Sequence, residues 1–304
     1  MIRRPGERML DEPTLTRQRW ALLQQAGAAW LQHRAPTMGA ALAFYSAFSL
    51  APLLIIVLAA AGAVFGVDAA RSAVEEQLSE LVGAPSAEAI LSLLKGAQAT
   101  TSGLFATVMG LVTMLVGATT IVVELQDDLD CIWDAPKRAG NSWLTMLRAR
   151  VLSLGMVLGV GFLLLVSLVV SGAIAAVGSF AEMRAAGSSF ALVDAANFVL
   201  SVAVVTALFA MLYKWLPNVS IDWNDVWVGA CMTGILFTAG RVAIGFYLGR
   251  SAIASAYGAA GTLVVLLLWL YYSAQIFLFG AEFTCAYSRR RRLSQSHGAD
   301  GARE

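Results

Sequence analysis

No Asp, Glu, Lys or Arg interrupts the 33 residues between Arg34 and Asp68. Uncharged runs of 28, 31, 19 and 31 residues follow between Lys95 and Glu124, Arg150 and Glu182, Asp194 and Lys214, and Arg250 and Glu282. A shorter run of 15 residues separates Asp225 from Arg241, and its apolar pattern resumes beyond Arg241 as far as Arg250. Crossing the roughly 30 Å hydrocarbon core of a bilayer takes about 20 apolar helical residues. The runs therefore predict six transmembrane helices, near 37–66, 103–126, 151–178, 193–216, 226–249 and 258–286. They are continuous rather than alternating, which favours helices over a barrel, and a helix satisfies its own backbone in lipid. The expected fold class is all-α, a polytopic membrane protein of six transmembrane helices with short amphipathic interfacial helices. The first run starts too far from Met1, and is too long, for a cleavable signal peptide.

Outside the spans, helical periodicity marks three interfacial segments. Trp20, Leu23, Gly27, Trp30 and Leu31 share one face of an in-plane helix that leads into the first span. Ala70, Val74, Leu78 and Leu81 oppose Glu75, Glu76 and Glu80 in the first external loop, and Pro85-Ser86 restarts a short helix ending near Gly96. The loop around Trp133 and Trp143 is the third. The chain thus divides into a flank over 1–35, a six-helix body over 36–288, and a basic tail over 289–304 expected to be disordered.

Composition narrows the class. The chain is 58% hydrophobic and only 13% charged, where soluble domains carry about 25% charge. That is too little charge for a soluble surface, and too apolar for disorder. A net charge of +1 gives no overall basic field for nucleic acid, and three cysteines make no disulfide framework. The small net charge hides an asymmetry. With six spans, sixteen Lys and Arg fall on the side of the termini and four on the other, and Arg241 lies within the membrane. The positive-inside rule then puts both termini in the cytoplasm, as in a bacterial inner membrane.

Rows of small residues would let helices approach closely: Gly155 and Gly159, Ser167 and Ser171, Gly245 and Gly249, and the sevenfold repeat of Gly103, Gly110 and Gly117. Pro52 would kink the first span, with Tyr45, Ser46 and Ser49 a turn or two before it.

An ionisable group inside a span is costly and so a functional candidate. Arg241 lies roughly 22 Å into the fifth span, and Glu282 roughly 10 Å from the end of the sixth, at 1.5 Å per residue. Glu124 and Lys214 sit near the same ends of their own helices as Glu282, so the three read first as solvated at the interface or paired with one another, and as the functional alternative they share one pocket with Arg241 deeper; Tyr45 reads first as packing, with a hydroxyl-lined cavity as its alternative. Arg241 would meet an anion, or else snorkel to the outer headgroups near Arg250. Glu124, Asp127 and Asp128 share a face with Asp130 close behind, and are expected to pair with Lys137, Arg138 or Arg148 rather than to hold Mg²⁺. Enzyme templates are not matched. His33 and His297 lie in the flanks with no spacing to other ligands, there is no CxxC, and no Walker A or dinucleotide loop is present. No cofactor or metal is expected. The run Arg289 to Arg292 would anchor the last helix to anionic lipid.

Several motifs resemble a known family. They are PTMGAALAFYSAFSLAPL from Pro36 to Leu53, Ile132-Trp133, Leu216-Pro217-Asn218 followed by Trp223, Asp225 and Gly229-Ala230, and YGAAGTLVVLLLWLYYSAQIFLFGAEF from Tyr257 to Phe283. Together they resemble the YihY/virulence factor BrkB family of bacterial inner-membrane proteins, formerly mislabelled ribonuclease BN. The resemblance covers about 35 to 288. It implies six spans, cytoplasmic termini and a role in envelope transport, and no ribonuclease activity. The expected function is transport or export of an anionic or lipid-like compound across the inner membrane, without an ATPase site. The substrate-binding residues would be Arg241, Glu282, Glu124, Tyr45 and Lys214. The expected partners are the bilayer and that substrate, with no nucleic acid, and a homo-oligomer is left open. The alternative is a non-transporting envelope scaffold.

Overall fold

The computed structural model describes residues 15–48, 120–136, 189–250 and 261–300, with scattered positions between 62 and 91. Among these, regular structure is helical throughout and includes no strand. The main helices are α1 (Leu15–Gln32), α2 (35–48), α3 (120–132), α4 (Ser189–Trp215), α5 (Trp223–Arg250) and α6 (Gly261–Asp300). Three stretches are long and apolar enough to cross a membrane: Phe198–Trp215, Trp223–Ile244 and Leu263–Gln295. They match the expected fourth, fifth and sixth spans. The expected span near 151–178, and most of those near 37–66 and 103–126, lie outside the described residues.

The last helix does not stop at 288. It runs through Arg289 to Arg292 and on to Asp300, where the charge pattern predicts a disordered tail. Arginine is a good helix former, so the charges mark where apolar surface ends and not where the helix ends. In the segment that follows the first expected span, Val74 is half-buried and Glu75 and Glu76 are exposed on helical turns, and Ala87 and Ile90 are buried on helical residues after Pro85.

Helices α4, α5 and α6 pack antiparallel in sequence order, and their contacts follow from glycine. A Cβ on Gly229 of α5 would fall on the Thr284 side chain of α6. Reciprocally, a Cβ on Gly280 of α6 would fall on Thr233 of α5 and on the Tyr213 hydroxyl of α4. Gly234 faces Thr206 of α4 in the same way, and Gly240 faces Tyr272. Each of these glycines admits a neighbour that any side chain would exclude, which is how helices associate where lipid removes the hydrophobic drive. The threonines hydrogen-bond back along their own helices. Thr233 Oγ1 donates to Gly229 O at 2.8 Å, and Thr284 Oγ1 to Gly280 O at 2.7 Å. A buried hydroxyl is thus satisfied without reaching across the interface.

Tyr213 closes this core. Its hydroxyl donates to Phe277 O at 2.7 Å and lies 3.1 Å from Thr233 Oγ1. Its ring stacks on Phe277, and Phe209 packs on both. Tyr213→Phe is expected to lower stability by about 1 kcal/mol, the usual net worth of one buried hydrogen bond. Thermal unfolding in detergent reads the change.

Helix α1 lies against α6 and divides its apolar residues between two faces. Leu22 and Ala26 are buried, and Trp30 packs partly on the core. Trp20 and Leu31 are 63% and 65% exposed, and Leu23 is also exposed. The face predicted to contact the membrane is therefore the outward one, except for Trp30, which turns inward.

Candidate functional site

The break between α1 and α2 sets up the site. Arg34 takes a left-handed conformation, φ 57°, and its carbonyl accepts from the amides of Thr37 and Met38. The turn ends α1 and leaves His33 facing α6. His33 Nδ1 lies 2.5 Å from Glu282 Oε1, and Glu282 is only 2% exposed. Two residues later the Ala35 carbonyl accepts from Gln275 Nε2 at 3.3 Å, and Gly39 leaves no room for a Cβ beside Gln275. The α1–α2 corner is thus fixed to one side of α6 at two levels.

A cleft of about 630 Å³ opens between α1 and α6 at this corner. Ala21, Gln25 and Ala29 of α1 form one wall. Ala286, Arg289, Arg290 and Leu293 form the α6 side, and the His33–Glu282 pair lies in its lining with Ile132. The Cys285 thiol donates to Ile132 O at 3.4 Å, which ties the end of α3 to α6. Beyond α3, Asp134 is left-handed, φ 49°, and accepts from Arg289 Nη2 at 2.7 Å. Both partners of that pair are more than half exposed, so it contributes little to stability. Chemically, the cleft offers two guanidinium groups at an accessible level, an apolar wall, and a buried Glu282 carboxyl within hydrogen-bond distance of the His33 imidazole.

Further polar contacts bind the same end of the bundle. Asp130 accepts from both the backbone N and the side-chain Nδ2 of Asn218, joining α3 to the α4–α5 turn. Buried Asp225, in the first turn of α5, accepts from Arg291 Nη1 at 2.9 Å. A carboxylate there is also favoured by the helix dipole.

Of the five residues expected to bind substrate, only Glu282 lines the cleft. Lys214 donates to Ile221 O at 2.5 Å and lies 5.4 Å from the Trp223 ring centre, so it holds the α4–α5 turn. Glu124 is half-buried one turn before Asp128 on α3. Tyr45 sits on α2, edge-on to Phe44 at 6.0 Å. Arg241 is half-buried on α5, next to Gly240 and so level with Tyr272. It is ten helical residues from the level of Glu282, or about 15 Å.

His33 has no ligand spacing in the sequence to mark it, yet it is the partner of Glu282. The two are 249 positions apart. The signal that could have found it is depth, since both fall near the same end of the bundle.

The acids of α3 form a separate feature. Burial raises the Asp128 carboxyl to about 7, with Glu124 and then Asp127 adding repulsion, and Asp128 Oδ2 has no hydrogen-bond partner among the described residues. Asp127 is raised by burial and by Asp130. The expected partners Lys137, Arg138 and Arg148 lie outside the described residues.

The family model described as virulence factor BrkB matches residues 27–304. A UPF0761 membrane protein of Ralstonia nicotianae is 28% identical over 87% of this chain and 57% of its own length. One of Pseudomonas paraeruginosa is 27% identical over 87% of this chain and 63% of its own. One of Tolumonas auensis is 28% identical over 55% of this chain and 53% of its own. The chain thus spans between half and two thirds of these curated relatives. No solved structure matches it. With the family model covering nearly the whole chain, and apolar helices that carry the membrane character of those relatives, the protein belongs to the virulence factor BrkB family of membrane proteins.

Proposed function

We propose that this protein transports or exports an anionic or lipid-like envelope compound across the bacterial inner membrane, with both termini cytoplasmic and no catalysis of its own. The observation that carries the reading is the α1–α6 cleft, where Arg289 and Arg290 stand beside a buried His33–Glu282 pair at one end of an apolar bundle. Buried charge in such a bundle is expensive unless it serves a task. The arginines supply the anion contact, and Glu282 with His33 forms a buried polar pair beneath it. The excess of Lys and Arg on the terminal side supports the orientation.

Reconstitution in proteoliposomes tests the reading. Flux of a fluorescent anionic lipid is expected to fall at least about tenfold in Glu282→Gln and in the Arg289→Gln, Arg290→Gln double variant, a loss of about 1.4 kcal/mol. Unchanged flux in both removes the proposed roles.

A second reading, a scaffold that moves nothing, is favoured by the closed α5–α6 contact, where Gly229 and Gly280 meet Thr284 and Thr233 with no space between. It predicts no protein-dependent flux in the same vesicles.

A further inference from the structure

The exposed aromatic residues of α4 and α5 gather at two levels. Trp215, Trp223 and Trp227 are exposed at one end, and Phe246 and Tyr247 at the other. Trp227 and Tyr247 are twenty helical residues apart, about 30 Å, which equals the hydrocarbon thickness of a bilayer. Tryptophan and tyrosine settle at the headgroup level. The first group therefore marks one headgroup region.

The glycine contacts carry this level across to α6. Gly229 meets Thr284, Thr233 meets Gly280 and Gly240 meets Tyr272. In that register Arg289 is level with Asn224 and Arg290 with Trp223. Glu282 is level with Cys231, about 6 Å deeper than Trp227. The cleft thus begins among headgroups and ends just inside the hydrocarbon. Its lining changes with depth in the same sense. The arginines stand at the outer level, Ala29 and Ala286 give apolar surface, and the inner carboxyl lies within hydrogen-bond distance of His33.

We propose that this cleft binds the phosphate-bearing headgroup of an anionic phospholipid, with the phosphate on Arg289 and Arg290 and the glycerol and upper chains against the apolar wall. The proposal names the ligand class of the site on which the transport reading rests. A free phosphate would use only the arginines, whereas the apolar wall and the depth suit a lipid. Arg289 reaches the phosphate by exchanging its exposed bond to Asp134, a pair of small worth. Planar guanidinium groups match phosphate oxygens two at a time.

The test is native mass spectrometry of the full chain in a neutral detergent, titrated with phosphatidylglycerol and, separately, phosphatidylcholine. Phosphatidylglycerol is expected to be retained preferentially. Each arginine that hydrogen-bonds the phosphate directly contributes at least about tenfold, so Arg289→Gln with Arg290→Gln should weaken retention at least about 100-fold. Ala286→Phe, which fills the cleft and keeps every charge, should weaken it as well. Arg292→Gln, an exposed neighbour outside the cleft, should change it less than about twofold. Equal losses in the Arg292 and Arg289/Arg290 variants, no preference over phosphatidylcholine, or full displacement by millimolar inorganic phosphate would each overturn the proposal. Binding is read without flux. A chain that holds phosphatidylglycerol in the cleft but moves nothing keeps the site and loses the transport reading. A chain that transports while the double variant binds normally loses the site.

Discussion

Gly280→Leu is expected to destabilise the protein by about 3 kcal/mol, the upper end of what overpacking costs. The site is the crossing of three helices. A Cβ added there meets Thr233 of α5 and the Tyr213 hydroxyl of α4 together. Neither group can retreat freely. Thr233 is held to the Gly229 carbonyl, and Tyr213 is held to the Phe277 carbonyl with its ring stacked on Phe277. Relief requires α6 to move away from α4 and α5, which opens the reciprocal Gly229–Thr284 contact one turn along. Helices in lipid gain association energy from close packing and little from the hydrophobic effect, so separation is not repaid elsewhere. Gly27→Ala on α1 is the control. Nothing lies within 4 Å of a Cβ there, so alanine should raise stability by up to about 1 kcal/mol through helix propensity. Opposite shifts of the two variants in a detergent melting experiment support the packing. A Gly280→Leu protein that melts with the wild type removes it.

These glycines show which features the sequence makes legible and which it hides. The absence of charge locates the spans, because an unpaired charge is too costly in hydrocarbon to be placed at random. The fourth and fifth spans fall within a few residues of expectation for that reason. The inward faces cannot be located in the same way. Lipid is as apolar as a protein core, so exposed Val199, Ile235, Val242 and Phe246 are the same kinds of residue as buried Leu266, Ile276, Phe277 and Leu278. Periodicity then carries no inside–outside contrast. A different pattern does mark the contacts. Glycine followed four residues later by threonine occurs at Gly229 and Thr233, Gly234 and Thr238, and Gly280 and Thr284. In each pair the threonine satisfies its hydroxyl on the glycine carbonyl.

The candidate site is half legible. Glu282 stands out as a carboxylate in an apolar helix. Its partner does not, because His33 belongs to a flank where a histidine is unremarkable by composition. Only the left-handed turn at Arg34 brings it back against α6. Arg241 stands out for the same reason as Glu282, yet the α5–α6 register keeps the two about 15 Å apart. A sequence shows which charges are buried, while register decides which of them meet.

Stability is expected to fall as pH rises from about 4 to about 7, in part through Asp128. Burial, Glu124 and Asp127 hold its carboxyl at about 7 in the folded protein, against about 3.9 for an unfolded chain. Across that window the folded state keeps a proton that the unfolded state has released, so each step up in pH favours unfolding. The effect is absent below about pH 4 and complete above about pH 7. Asp128→Asn removes the titration while keeping the shape. Its melting temperature should match the wild type near pH 4 and exceed it at pH 8, and the gap should grow through the window. Taking the difference between the two proteins cancels the titrating groups that do not interact with Asp128, leaving Asp128 with its neighbours Glu124 and Asp127. A variant less stable than the wild type at pH 8 would mean the opposite, that Asp128 is ionised and paired in the folded state. The consequence reaches the cleft. Asp128 adjoins buried Leu129 on α3, and Ile132, one turn on, lines the cleft and accepts from Cys285. A proton on Asp128 therefore strengthens the seating of the helix that helps to line the cleft.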